Sequence, residues 1–374
     1  MIAEFKTVVL DSITYFFTTT RNCSFGLHYL LFHHYQIMNV TVIATVLNEG
    51  ESIKNLMDSL AAQTRLPDEV VIVDGGSRDN TVAVIQRYAK RLPVQVIVSE
   101  GANISQGRNI AIQSATGPVI ASTDAGVRLA ANWLAELLAP FDSPETPQVV
   151  SGFFEADPQT TFEVAMGATA LPMLDDITPD TFLPSSRSIA FTKSAWKAAG
   201  GYPEWLDFCE DLIFDLNLKD YAGHFAFAPQ AVAHFRPRGS LGAFFKQYYQ
   251  YARGDGKADL WRKRHAIRYL TYLLALPMLI LLGALFSPWW WLAGGIIGAW
   301  GLFYTPYKRL FHSWSKLIWL QKAKALLWIP VIRLTGDLAK MVGYPVGLYW
   351  RWQRLSNEPQ LRWRREQGSR REGE

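Results

Sequence analysis

An α/β architecture is what this sequence predicts: a Rossmann-like, mostly parallel sheet with crossover helices, then a membrane helical hairpin and amphipathic helices. Three observations carry that expectation. From Val40 to about residue 150, β-branched apolar runs alternate with helix-period segments, the pattern of a parallel sheet. Polar and acidic residues stand directly after those runs, where open parallel sheets bind their ligands. Late in the chain two long apolar runs flank Ser287-Pro288, with Lys and Arg outside both.

The elements follow in order. VTVIATV (40–46) is a buried strand, and after the polar break LNEGES comes the helical IKNLMDSLAAQ. EVVIVDGGS (69–77) is the second strand, leading to TVAVIQRYAKRL with Ser77, Asp79 and Asn80 available as caps. VQVIVSE (94–100) precedes the helical GANISQGRNIAIQSA, and PVIAST (118–123) runs into Asp124. Asn48 and Glu49 follow the first strand, Asp74 the second and Asp124 the fourth. Each alone could make a turn or cap a helix; together at three strand ends they mark one crevice. The first strand lacks the G-x-G-x-x-G turn of dinucleotide folds, so nicotinamide chemistry is not indicated.

The second half is less regular. VVSGFFEA (149–156) reads as a strand, and residues 183–223 mix loop and helix. FAFAPQAVAHFRPRG (225–239) reads as a strand pair ending near His234, and LGAFFKQYYQYARGDG (241–256) as a helix. RYLTYLLALPMLILLGALF (268–286) and WWWLAGGIIGAWGLFYT (289–305) then form the hairpin, with Trp289, Trp290 and Trp291 as an interfacial belt. Arg262, Lys263 and Arg264 before it and Lys308 and Arg309 after it place both ends in the cytoplasm. Residues 314–350 interleave Lys, Arg and Asp337 with Trp, Leu and Ile, which suggests amphipathic helices lying in the interface. The domains expected are therefore an N-terminal extension (1–37), an α/β domain (38–256) and a basic membrane-associated region (257–374).

Charge is divided the same way. From Arg262 onward there are 18 Lys and Arg against 5 Asp and Glu, a net +13; residues 1–261 hold 19 against 28, or −9. A basic tail rich in apolar runs points to anionic membrane lipid, and no nucleic-acid-binding motif accompanies it. The two cysteines, Cys23 and Cys209, show no C-x-x-C pairing, which argues against a disulfide framework or zinc site and fits a reducing cytoplasm. Residues 1–37 lack the basic start and small-residue cleavage site of a signal peptide, and Met38 precedes the first strong strand; translation is expected to begin there.

Over about 38–256 the chain resembles the family 2 glycosyltransferases, which have the GT-A fold. VIATVLNEGESIKNLMDSLAAQ together with EVVIVDGGSRDNT is specific as a pair, and TDAG, AGGYPE and CEDLIFDLNL follow in family order. The resemblance implies that Leu47, Asn48, Glu49 and Asp74 bind a nucleoside-diphospho sugar, with Asp74 accepting hydrogen bonds from the base. Asp124 takes the first place of the family's D-x-D motif, and Gly126 stands where the second aspartate belongs. A weakly held Mg²⁺ or Mn²⁺ is expected on Asp124 and the phosphates, with His234 at the position of a late histidine ligand. The alternative is neutralisation of the departing diphosphate by Arg236, Arg238 and Arg253.

The same resemblance assigns the catalytic base of an inverting transferase to the E-D pair, here Asp211 with Glu210 second. Ser185, Ser186 and Arg187 are expected on the acceptor side. QYAR (250–253) overlaps the Q-x-x-R-W motif of processive members, but Gly254 replaces its tryptophan, which implies a single transfer. The hairpin would hold the crevice against the inner membrane, so a lipid-linked or glycolipid acceptor is expected at its cytoplasmic face. Two other readings remain at this level. A sugar-nucleotide pyrophosphorylase would need a glycine-rich loop with an Arg after the first strand, and LNEGES has none. A degenerate nucleotide-binding scaffold is suggested by the missing second aspartate.

Overall fold

The computed structural model describes residues 39–363. The extension 1–37, the expected start at Met38 and the basic end from residue 364 lie outside the described residues.

Alternating Val, Ile and Thr make β1 (Val40–Val46) an almost wholly buried strand beside the centre of the sheet. A 3₁₀ turn leads to α1 (Lys54–Ala61), then β2 (Glu69–Asp74), α2 (Thr81–Gln86) and β3 (Val94–Val98). Next come α3 (Ile104–Ser114), β4 (Val119–Ser122), β5 (Val127–Leu129), α4 (Trp133–Leu138), β6 (Val149–Ala156) and α5 (Thr161–Ala170). The α/β part ends with β7 (Ile189–Thr192), α6 (Lys193–Ala198), α7 (Glu210–Ala222) and β8 (Ala226–Phe235). The eight strands form one sheet in the order β3-β2-β1-β4-β7-β6-β8-β5.

The first four strands pair in parallel through crossover helices, as the sequence pattern requires. Beyond β4 the sheet is mixed: β7 runs antiparallel to β4 and β6, β8 parallel to β6, and β5 antiparallel to β8. The expectation of a mostly parallel sheet therefore describes its first half. The strand pair expected over 225–239 is a single strand. Its register against β6 shifts between Ser151↔Phe227 and Phe153↔Val232, so residues 228–231 bulge around Pro229, which lacks a ladder N–H. Gly152 lies under that bulge. A Cβ there would come within 2.7 Å of the Ala231 carbonyl oxygen and 2.0 Å of Ser188 Oγ, so only glycine fits.

The rest is helical: α8 (Leu241–Ala258), α9 (Arg262–Leu270), α10 (Leu276–Leu285), α11 (Trp289–His312) and α12 (Trp319–Arg354). The several amphipathic helices expected over 314–350 are instead dominated by one 36-residue helix, α12. Its buried stripe includes Ala325, Ile329, Ile332, Gly336, Ala339, Gly343 and Gly347, a helical period. Glycines let α12 lie backbone to backbone on α8. A Cβ on Gly343 would approach the Tyr249 carbonyl oxygen to 2.3 Å, and one on Gly347 the Arg253 carbonyl oxygen to 2.1 Å.

Arg262–Leu285 is one 24-residue helical stretch of mean hydropathy 1.7, long and apolar enough to cross a membrane. It is followed by the break at Ser287-Pro288, and the Trp291 indole then donates to the Ile280 carbonyl at 3.1 Å. Leu273, Ile280, Leu285, Phe286, Trp289 and Ile297 are all more than half exposed.

Candidate active site

Four parts of the chain converge beyond the carboxyl edge of β4. The N-terminal half of α3 supplies Arg108, and the helix is held in register by a capping box between Asn103 and Gln106. β4 delivers Asp124, the loop before β7 delivers Arg187, and the first turn of α7 delivers Glu210 and Asp211. Cys209, with φ +64°, turns the backbone sharply into α7 so that both acids point back toward α3.

Arg108 is the hub, and it was not among the residues expected from the sequence. It is buried, donating to Glu210 Oε1 at 2.8 Å and to Asp124 Oδ1 at 2.8 Å. Its guanidinium carbon lies 5.1 Å from the Tyr202 ring centroid. Arg187 holds the other oxygen of Asp124 at 3.1 Å and lies over Phe235 at 4.6 Å. Two arginines thus grip one carboxylate, each backed by an aromatic face. The sequence signal for Arg108 was only a polar residue inside an apolar helix, which nothing local separates from an exposed one.

The acids are tuned by this setting. Burial, and then the Asp211 charge, push Glu210 up to about 7 against the opposing pull of Arg108. Asp211 is raised as well, chiefly by burial, with Arg108 and Arg187 opposing. It accepts the Leu212 N–H at 2.9 Å, and among the described residues no guanidinium or ammonium pairs with it directly. Asp211 is therefore the less neutralised of the two. One turn on, Asp215 is buried with no hydrogen-bond partner on either oxygen, and burial drives its carboxyl well above the usual carboxylate range. Sequence reasoning missed Asp215 too, because nothing in DLNL marks it as buried.

Asp74 ends β2 on the same edge, in register with Val46. Its Oδ1 accepts the Gly76 and Ser77 N–H groups at 2.9 and 2.7 Å, while Oδ2 is buried without a partner. A carboxylate fixed through one oxygen and unsatisfied at the other is ready for an external N–H donor. Asn48, at φ +53°, bridges to this loop: its N–H donates to Ser77 Oγ and its Oδ1 accepts the Arg78 N–H. Glu49 donates its N–H to Thr81 Oγ1 at 2.9 Å, and Leu47 stands exposed beside the loop. Sequence-adjacent residues 47–49 and 74–78 thus form one rim.

Other expected residues lie elsewhere. Ser186 is buried, its hydroxyl 3.0 Å from the Tyr202 hydroxyl, and Ser185 accepts the Ser188 N–H through its carbonyl. Arg253 pairs with Asp207, which also takes Lys257 at 2.7 Å. Gly254, in the place of the processive tryptophan, is needed for packing: a Cβ there would sit 2.6 Å from the Phe208 carbonyl oxygen. Arg236 pairs with buried Glu163 at 2.8 Å.

The metal expected on Asp124 and His234 finds no preformed site in this arrangement. Both Asp124 oxygens are taken by guanidinium groups, and Gly126 adds no carboxylate. His234 lies opposite Arg128 in the sheet with its Nδ1 3.8 Å from Glu155, and burial lowers its pKa. Among the described residues no three His, Cys, Asp or Glu side chains group as a metal site. Because Mg²⁺ and Mn²⁺ rely on several oxygen ligands, Mn²⁺ alone should leave the melting temperature unchanged in a thermal-shift titration. A saturable rise with Mn²⁺ and no nucleotide would mean that Asp124 can leave its arginines.

Residues 41–190 match the family model described as glycosyl transferase family 2. Among curated relatives, the uncharacterized glycosyltransferase YibD of Escherichia coli is 36% identical over 87 residues, which are 23% of this chain and 25% of that protein. The chain thus spans about a quarter of the length of the first curated relatives it matches. The succinoglycan biosynthesis protein ExoA of Rhizobium meliloti is 26% identical over 279 residues, 69% of this chain and 81% of that one. Among solved structures, the mannosyltransferase PcManGT from Pyrobaculum calidifontis in complex with GDP-Man and Mn²⁺ shares 20% identity at a TM-score of 0.49, over 84% of this chain and 86% of that one. With the family-model match ending on β7 and the acids gathered at the edge of that sheet, residues 41–190 are a region similar to glycosyl transferase family 2.

Proposed function

We propose that this chain is a membrane-associated, inverting glycosyltransferase. It moves one sugar from a nucleoside-diphospho sugar to a lipid-linked or glycolipid acceptor at the cytoplasmic face of the inner membrane. The observation that carries the reading is Asp211: a carboxylate with a raised pKa, beside but not paired with two arginines, in the first turn of α7. Such a group can take the acceptor hydroxyl proton as that oxygen attacks the anomeric carbon and the nucleoside diphosphate departs. Arg187 and Arg108 would neutralise the diphosphate, exchanging part of their hold on Asp124 for phosphate oxygens. No step is assigned to a metal.

The unsatisfied oxygen of Asp74 supports a base-binding role for the β2 edge. The exposed apolar surface of α10 and α11, with basic residues at both flanks, supports membrane attachment of a crevice facing the cytoplasm. Gly254 in the place of the processive tryptophan supports single transfer. ExoA and the O-antigen chain rhamnosyltransferase RfbN of Salmonella typhimurium, 22% identical over 71% of its length, support a place in bacterial envelope glycan assembly.

The test is binding and turnover together. Purified full-length protein should be stabilised by one of the nucleoside diphosphates and should release it slowly from the matching sugar donor. Asp74→Asn should weaken that nucleotide by about tenfold, the cost of one charge-assisted hydrogen bond. Equal affinity in wild type and Asp74→Asn would remove Asp74 from the site, and no stabilisation by any nucleotide would remove the proposal.

A further inference from the structure

A second polar cavity lies away from the acidic cluster, between α5, α8, α11 and α12. It encloses about 230 Å³ and is lined by Thr169, Phe244, Tyr248, Arg309, Arg333 and Lys340, with Ile332 and Gly336 on its wall. Its charges do not balance. Arg309 is paired with Asp176 at 2.8 Å. Asp337 takes Arg268 at 2.8 Å and the Tyr272 hydroxyl at 2.9 Å, and it lies 3.5 Å from Arg333. Arg333 Nε, the atom 3.5 Å from Asp337 Oδ2, is buried and makes no hydrogen bond. Lys340 has no carboxylate within ion-pair distance among the described residues; its ammonium instead lies 4.9 Å from the Tyr248 ring centroid. The three cations lining the cavity and the neighbouring Arg268 thus face Asp176 and Asp337, with Asp255 also acting on Lys340. Burial, then Arg268 and Arg333, depress Lys340 to about 8 against the opposing pull of Asp337 and Asp255.

Tyr248 links this cavity to the candidate active site. Its ring lies 5.7 Å from that of Tyr251, which borders Arg187, the partner of Asp124. The helix α11, which contributes Arg309, carries on a different face an aromatic groove of about 540 Å³ lined by Trp300, Phe303, Tyr304 and Tyr307. That helix also bears part of the exposed apolar surface. A ligand fitting the cavity beside these elements has an anionic head for Lys340 and Arg333, a hydrocarbon tail for exposed apolar surface outside the cavity, and a reacting end directed toward Arg187.

We propose that the Arg309–Arg333–Lys340 cavity binds the phosphate group of a lipid-linked saccharide, and that this lipid is the acceptor of the transferase: a hydroxyl of its sugar forms the new bond to the donor's anomeric carbon, its proton passes to Asp211, and the bond to the nucleoside diphosphate breaks. The word acceptor rests on the glycosyltransferase reading; the phosphate-lipid site does not. Phosphate oxygens would supply Lys340 and Arg333 with the acceptors they lack, while the donor diphosphate occupies the separate Asp124 end.

The probe is farnesyl monophosphate, titrated into full-length protein in detergent by thermal shift, with farnesol and inorganic phosphate as the two partial ligands. Farnesyl phosphate should bind saturably, with each partial ligand at least about tenfold weaker. Lys340→Met should weaken it by about tenfold or more, Lys340→Arg should restore it, and nucleoside diphosphate binding should be equal in all three proteins. Unchanged farnesyl phosphate affinity in both Lys340→Met and Arg333→Gln overturns the site. Inorganic phosphate binding as tightly as farnesyl phosphate overturns the lipid assignment. Nucleotide binding without farnesyl phosphate binding sinks this proposal and leaves the transferase reading standing; the reverse result sinks the transferase reading alone.

Discussion

Asp211→Asn should leave the chain folded and able to bind nucleotide, yet lower turnover by ~100-fold or more, the low end for loss of a general base. The substitution keeps the shape and the bond from the Leu212 N–H and removes only the charge that accepts a proton. It also relieves repulsion at Glu210, so the variant should melt no lower than wild type. The pH profile separates Asp211 from a bystander. Glu210 is pushed up to about 7, and Asp211 is raised beside it. The wild-type acidic limb of kcat/KM should therefore lie well above the ordinary carboxylate range, as a property of the pair. Stability carries the opposite slope. A carboxyl whose folded pKa is raised binds more protons folded than unfolded, so stability declines as pH rises through that window. Near-normal turnover in Asp211→Asn would falsify the assignment, and Glu210→Gln would then be the variant to compare.

Arg108→Gln should be the most destabilising single substitution in the site, costing about 3–5 kcal/mol at neutral pH, as removal of one partner from a buried ion pair does. Arg108 is the buried bridge between Asp124 and Glu210, and its charge also opposes the raised pKa values of Asp211 and Asp215. Without it, negative charges would crowd a site from which water is largely excluded. The deficit should depend on pH in a definite direction. As pH falls from 8 toward 5, protons replace the guanidinium on these carboxyls, and the melting temperature of the variant should approach that of wild type. A gap constant across that range would mean that Arg108 acts through packing on Tyr202. Arg108→Lys should recover little, because an ammonium cannot hold two carboxylates in a fork.

Much of this was legible in the chain itself. Continuous β-branched apolar runs separated by helical segments identify the parallel half of the sheet, because a strand buried on both faces must be apolar at nearly every position. Asp74 and Asp124 were found as carboxylates directly after such runs, a local signal that gains its topological meaning from recurring at several strand ends. The two late apolar runs and their basic flanks are likewise read from composition alone. The second half resisted for equally physical reasons. β8 carries Pro229 in its middle, which reads as a turn and proves to be a bulge accommodated by Gly152 on the neighbouring strand. α12 reads as several interfacial helices because its glycines and prolines are local helix breakers. Only α8 lying against it shows why the glycines are there.

The division is clearest at the site. Sequence by itself determined the family resemblance, the parallel half-sheet, and the acids at its edge, since each depends on residues close in the chain. Tertiary structure alone decided their electrostatics. Arg108, Arg187, Asp215 and Tyr202 come from separate segments, and their influence falls off with distance in space. Whether Asp124 meets a second carboxylate or two arginines, and whether Lys340 meets a counter-ion, is settled by packing that no stretch of sequence encodes locally.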